Sequence, residues 1–121
     1  MNVQEKYQRL EDTVRQYNPG ANFDLIHAAF VYAEAHHRGQ NRKDGSPFIT
    51  HPLAVAQIVA QELHLDSESI AAALLHDTIE DTDATHEDIA RTFSPTIADI
   101  VEGVSKLTRV QAASKAEEQM E

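Results

Sequence analysis

Apolar residues recur at helical spacing through nearly every segment between this chain's breakers. The breakers are Pro19, Gly20, Gly39, Gly45, Pro47, Pro52, Pro95 and Gly103. In the first segment Val3, Tyr7, Leu10, Val14 and Tyr17 follow at steps of four, three, four and three, which lines one face of a helix over 2–17. Asn18-Pro19-Gly20 ends it. A second helix is expected from Asp24 to about His37, with Leu25, Ile26, Ala29, Phe30 and Ala33 on one face, a start at Asn22 or Phe23-Asp24, and Gly39 closing it. Gln40–Thr50 reads as a loop whose turn is Lys43-Asp44-Gly45-Ser46-Pro47.

Pro52 suits the first position of a third helix, running to about Leu63 and apolar on most sides, as a helix central to a bundle would be. Asp66 or Ser67 caps a fourth, Ser69 to about Ile79, in which Ala71-Ala72-Ala73 permits close helix packing. Thr85-His86-Glu87-Asp88 has the form of a capping box for a short helix to Phe93, and Ser94-Pro95 opens another to Val104 or Leu107. No segment alternates as a half-buried strand does. The expectation is an all-α bundle of about six helices, one domain over 1–121, with a polar tail at 111–121 that has almost no apolar face.

The 121 residues suffice for one modest core. The absence of cysteine removes disulfides, thiolate zinc sites and cysteine nucleophiles. No apolar run is long enough to span a membrane, and the charged N-terminus lacks a signal-peptide core, so a cytoplasmic location is expected. The net charge of −10 lies wholly between Gln61 and Ser105, where 11 acids face one base, Arg91. A duplex nucleic acid is a poor partner for such a surface. An anionic substrate can still meet it across a bound cation.

The acids are densest at His76-Asp77-Thr78-Ile79-Glu80-Asp81. On a continuous helix His76, Asp77, Glu80 and Asp81 share one side. One imidazole and three carboxylates crowded there repel as a plain solvated face, and a divalent cation relieves the repulsion. Nitrogen and oxygen donors without sulfur suit Mn²⁺, Fe²⁺ or Zn²⁺ better than Ca²⁺. Neighbours on one helix cannot encircle a metal, so another ligand is needed. His51, at the loop-to-helix junction, is the best candidate, although a histidine capping that helix accounts for it equally well. Arg42-Lys43 taken alone reads as a solvated turn; an arginine there is also able to stack on a base or grip phosphate. His27, His36, His37, His64 and His86 read as structural or neutral, the pair at 36–37 meeting a helix C-terminus favourably.

Together the stretch Ala35–Pro52, the stretch Ala72–Asp81 and Val101-Glu102-Gly103-Val104-Ser105-Lys106-Leu107 resemble the N-terminal hydrolase domain of the RelA/SpoT (Rel/Spo) alarmone enzymes, members of the HD superfamily of metal-dependent phosphohydrolases. The resemblance runs in unbroken order over roughly 24–110. It implies that His51, His76 and Asp77 are metal ligands, usually for Mn²⁺, with other divalent cations as alternatives. It implies that Glu80 and Asp81 orient or deprotonate the attacking water. It implies that Arg42 and Lys43 contact a guanosine nucleotide, with Arg42 against the base, and that Lys106 reaches phosphate. The implied reaction is hydrolysis of (p)ppGpp at its 3′ position. The rival expectations are an HD-type hydrolase of another nucleotide and a non-catalytic nucleotide-binding or regulatory helical module.

The chain departs from the family pattern in one respect. The family's fourth ligand, an aspartate in an Ala-Asp-Arg-Leu-His-Asn type motif, has no counterpart before Glu121, and Asp99 lies too early to replace it. A following synthetase domain is absent as well. The expectation is an N-terminal fragment of a longer parent, a bifunctional synthetase–hydrolase being among the forms open to it, with apolar surface left uncovered and therefore self-association.

Overall fold

The computed structural model describes residues 1–104. Six helices are named there: α1 (Val3–Tyr17), α2 (Phe23–His36), α3 (Thr50–Leu63), α4 (Ser67–Leu75), α5 (Thr78–Asp81) and α6 (His86–Thr92). Residues 95–104 are also helical. No strand forms among the described residues, only an isolated bridge between Asn41 and Pro47. The all-α expectation is met. Lys106, Leu107 and the tail at 111–121 lie outside the described residues.

Local chemistry starts most of these helices. Asn2 caps α1 in a reciprocal box with Glu5. The Asn22 side chain accepts the Leu25 N–H at the head of α2, and Asp66 accepts the Ser69 N–H, at 2.9 Å, at the head of α4. Thr85 and Asp88 form the box expected for α6. Such caps satisfy N–H groups that the first helical turn leaves unpaired. Ser94 Oγ accepts from the Ile97 N–H in the same way. The chain leaves α3 through His64, held at φ 51°. Its ring stacks on Tyr17 at 4.7 Å, and the Tyr17 hydroxyl donates to the Leu65 carbonyl at 2.7 Å. These contacts tie the end of α1 to the α3–α4 turn.

Two expectations change. The third helix is interior, between α1 and α4, but it is not buried on most sides. It begins at Thr50, before Pro52, and buries Pro52, Leu53, Ala56 and Ala60, while Ile58 on its far side is 58% exposed. α4 is the more fully buried of the two interior helices, packed against α2 and α3, with α1 on the other side of α3. Ile70, Ala71, Ala72, Leu74 and Leu75 of α4 are all buried, and the small side chains at 71 and 72 let its neighbours approach closely. The fourth helix is also not continuous to Ile79. It stops at Leu75, and α5 restarts at Thr78. His76 and Asp77 occupy the break.

Candidate metal centre and the loop beside it

The break between α4 and α5 leaves carbonyls that a continuous helix would have paired. Two side chains take them up. The Thr78 hydroxyl, fully buried, donates to the Leu75 carbonyl at 2.7 Å. His76 Nδ1 lies 2.6 Å from the Ala73 carbonyl. A carbonyl only accepts, so Nδ1 carries the proton and Nε2 is left with a bare lone pair. The same backbone bond orients the ring, as it does in many metal-ligating histidines.

That lone pair meets Asp77. His76 Nε2 stands 3.1 Å from Asp77 Oδ2, and His51 Nε2, arriving from the first turn of α3, stands 3.3 Å from the same oxygen. The three side chains are 12%, 36% and 13% exposed for His76, His51 and Asp77. Asp77 Oδ2 is buried and accepts no hydrogen bond, an uncommon and costly state for a carboxylate oxygen. Burial also lowers the His51 pKa, against the opposing charge of Asp77 and with the Arg42 charge adding to the effect, so this ring favours its neutral, ligating form.

Three donor atoms therefore converge within 4.8 Å of one another. Donors about 2.1 Å from one cation stand roughly 3.0 to 3.4 Å apart at adjacent coordination positions. Both imidazole-to-carboxylate distances fit that spacing. The orphaned oxygen, the bare Nε2 of His76 and the neutral His51 are what a divalent cation takes, and the absence of sulfur excludes the thiolate sites. Among the described residues this is the group of three such side chains with that geometry.

Glu80 and Asp81 follow on α5, one turn further along and more exposed. The break separates them from α4, but the Asp81 N–H donates to the Asp77 carbonyl at 2.9 Å, so Asp77 and Asp81 stand one helical turn apart. They remain in electrostatic reach. The Asp81 pKa is raised, first by burial, then by the charges of Asp77 and Glu80. Asp81 is thus more basic than an ordinary carboxylate.

The loop after α2 forms the other wall. Gly39 turns the chain at φ +88°, a region open to glycine. Arg42 N–H donates to the Ser46 carbonyl at 2.8 Å and Gly45 N–H to the Arg42 carbonyl at 2.9 Å. Asp44 Oδ1 accepts from both the Ser46 N–H and its hydroxyl. This small hairpin displays Arg42 and Lys43 with their side chains exposed. They line, with Asn41, Asp44, Phe48, His51 and Asp77, an open cleft of about 660 Å³. The basic loop and two of the three convergent donors thus share one cavity.

Residue-by-residue reading missed His37. It is 2% exposed. Its ring packs on Phe48 at 4.6 Å, and Phe48 in turn presents its edge to His51. The available signal was a glutamine three residues beyond a histidine at a helix end, with glycine between. His36 behaves as expected of a residue near a helix C-terminus, its Nδ1 on the Tyr32 carbonyl. His86 pairs with Asp99 at 2.8 Å, linking α6 to the 95–104 segment. No helix among the described residues is long and apolar enough to cross a membrane.

Comparison with known proteins places this geometry in context. The sequence model of a family described as the HD domain matches residues 29–121. The chain is 46% identical over 112 residues to a GTP pyrophosphokinase rsh of Brucella melitensis, covering 93% of this chain and 15% of that protein. It is 44% identical over 115 residues to the bifunctional (p)ppGpp synthase/hydrolase SpoT of Escherichia coli K12, covering 95% of this chain and 16% of that protein. A solved structure of a metazoan ortholog of SpoT, described as hydrolyzing ppGpp and acting in starvation responses, superposes with a TM-score of 0.62 at 34% identity. It covers 64% of this chain and 46% of that one. The chain thus spans a small fraction, 15 to 16%, of the length of these two curated relatives.

Proposed function

The chain belongs to the HD domain family, in its Rel/Spo branch, and from that membership we propose that it is a metal-dependent 3′-pyrophosphohydrolase domain acting on guanosine 3′,5′-bis(diphosphate) and its triphosphate analogue. The observation that carries this reading is the orphaned Asp77 Oδ2, set 3.1 and 3.3 Å from two imidazole nitrogens in a cleft that also holds Arg42 and Lys43.

In this reading His51, His76 and Asp77 hold the cation, with Mn²⁺ the one we expect. Such an ion lowers the pKa of water and offsets negative charge on phosphoryl oxygens. Arg42 stacks on the guanine and Lys43 meets phosphate. Asp81, made more basic by burial and by its acidic neighbours, takes a proton from the attacking water, and Glu80 helps orient that water. The water oxygen bonds to the phosphorus that carries the 3′ oxygen, the bond from that phosphorus to the 3′ oxygen breaks, the 3′ oxygen takes up a proton to become the ribose hydroxyl, and pyrophosphate leaves GDP or GTP behind. The acidic half of the chain does not repel this anion once the cation and the basic loop face it.

The test is pyrophosphate release from ppGpp with Mn²⁺, using this chain and the same chain carried within a longer polypeptide. Release by either supports the reading. Mn²⁺ and ppGpp bound by both without turnover overturns it in favour of a binding module. Turnover of dGTP or a cyclic nucleotide in place of ppGpp assigns another HD-type phosphohydrolase.

A further inference from the structure

His37 is a histidine in the core with half of its polar capacity unused. Nδ1 lies 3.0 Å from Gln40 Oε1, while Nε2 is buried and unpartnered. The other end of the Gln40 amide fixes the proton's place. Gln40 Nε2 donates to the Asp81 backbone carbonyl at 2.7 Å, across 41 residues of sequence. The amide oxygen therefore faces His37, and Nδ1 must donate to it. A proton on Nε2 would be buried without an acceptor, so the ring is the neutral Nδ1–H tautomer.

Gln40 is committed on all sides. Its N–H donates to the His37 carbonyl and its own carbonyl accepts from Phe48 N–H, each at 3.0 Å. The histidine thus holds a glutamine that pins the loop bearing Arg42 and Lys43 to the last residue of α5.

We propose that His37 is a positioning residue: acting through Gln40, it sets Asp81 against the loop that carries Arg42 and Lys43. The proposal rests on the function given above, since the placement matters only if water and nucleotide meet between those walls. It assigns Nδ1 the whole role and Nε2 none, and it leaves the cation site, held by α3 and the α4–α5 break, independent of His37.

Three substitutions separate these statements. His37→Asn puts a side-chain N–H where Nδ1 stood, His37→Gln moves it to where Nε2 stood, and His37→Phe removes it while keeping a ring against Phe48. His37→Asn should keep kcat within about threefold, whereas the Gln and Phe variants should lose roughly 10- to 100-fold in kcat, with KM and Mn²⁺ affinity nearly unchanged. Gln40→Leu should cause a similar loss, and combining it with His37→Phe should add little. Equal damage by Asn and Phe, additive losses, or weakened Mn²⁺ binding in the Gln variant would overturn the proposal. Nitrogen NMR of the imidazole supplies a readout apart from turnover. A protonated Nδ1, a bare Nε2 and a slowly exchanging Gln40 amide that becomes fast in His37→Phe support the rivet even if ppGpp proves not to be the substrate. A protonated Nε2 refutes it.

Discussion

The cleft has two walls, and they are built differently. The His76–Asp77 wall lies at a helix break inside the core, flanked by Leu74, Leu75 and Thr78, all fully buried. Its shape comes from packing and from side chains that pair the broken helix's own carbonyls. The Arg42–Lys43 wall is an exposed hairpin whose shape comes from turn chemistry: a left-handed glycine at 45, an aspartate accepting from Ser46, and one glutamine anchor. A cation-binding wall needs donors preset within a few tenths of an ångström, which a core provides. A wall that admits a large, charged nucleotide needs exposure. On the function proposed above, the two walls divide the work by burial as well as by charge.

The largest test of this division is Asp77→Ala. It should lower Mn²⁺ affinity by roughly 100-fold or more and abolish hydrolysis, because a ligand lost costs more than a ligand's supporting partner. The metal-free protein should be no less stable, or slightly more so, because a buried carboxylate oxygen without a partner has been removed. Metal titration and thermal melts read both effects. A metal-free protein that loses stability would show that Asp77 serves the core.

Next comes Thr78→Val, nearly isosteric but unable to donate to the Leu75 carbonyl. It should cost about 1 to 3 kcal/mol in chemical denaturation, as expected when a buried acceptor loses its partner, and Mn²⁺ affinity should fall with it. Arg42→Ala tests the other wall. KM should rise about tenfold, consistent with loss of a cation–base contact, with stability changed by less than about 0.5 kcal/mol and Mn²⁺ affinity unchanged. If Thr78→Val spared the metal, or Arg42→Ala weakened its binding, the two walls would not be separate.

The smallest effect concerns the scaffold common to both. The Asp66 carboxyl is held below its usual range by the Ser69 hydrogen bonds at the head of α4. A depressed folded-state pKa contributes stability that is complete above the ordinary value of 3.8 and is lost as pH falls through the lower, folded value. Asp66→Asn should preserve the cap at neutral pH and flatten the acid limb of stability against pH, measured by urea titration from pH 6 downward. An unchanged limb would place the acid sensitivity elsewhere.

Much of this was legible in the residues. The stripe Tyr7, Leu10 and Val14 is buried as its spacing predicts, and the caps at Asn22, Asp66 and Thr85 are where their types place them. These signals are local, and local chemistry decides them. The break after Leu75 was not legible, since His76 and Thr78 each sit in a helix or end one, and the choice depends on which carbonyls their side chains reach. The exposed side of the third helix was not legible either. Residues 50–63 and 67–75 are both apolar, and only packing shows that one turns Ile58 to solvent. His37 looked like any histidine at a helix terminus. Its inward turn is set by Phe48 and Gln40, which periodicity does not report.

The two walls also differ in how they can change in length. Between Leu75 and Thr78 there are two residues, and each spends its side chain on the cleft or on the break itself. One residue added or removed would swing Asp77 away from His51 and leave the Leu75 carbonyl beyond the Thr78 hydroxyl. Between Asn41 and Pro47 the chain is pinned at its ends by a bridge and turned at Gly45, so its tip can lengthen while both anchors stay in place. Variation in nucleotide preference among chains of this architecture should therefore be written in insertions at the hairpin, while the junction keeps a constant residue count.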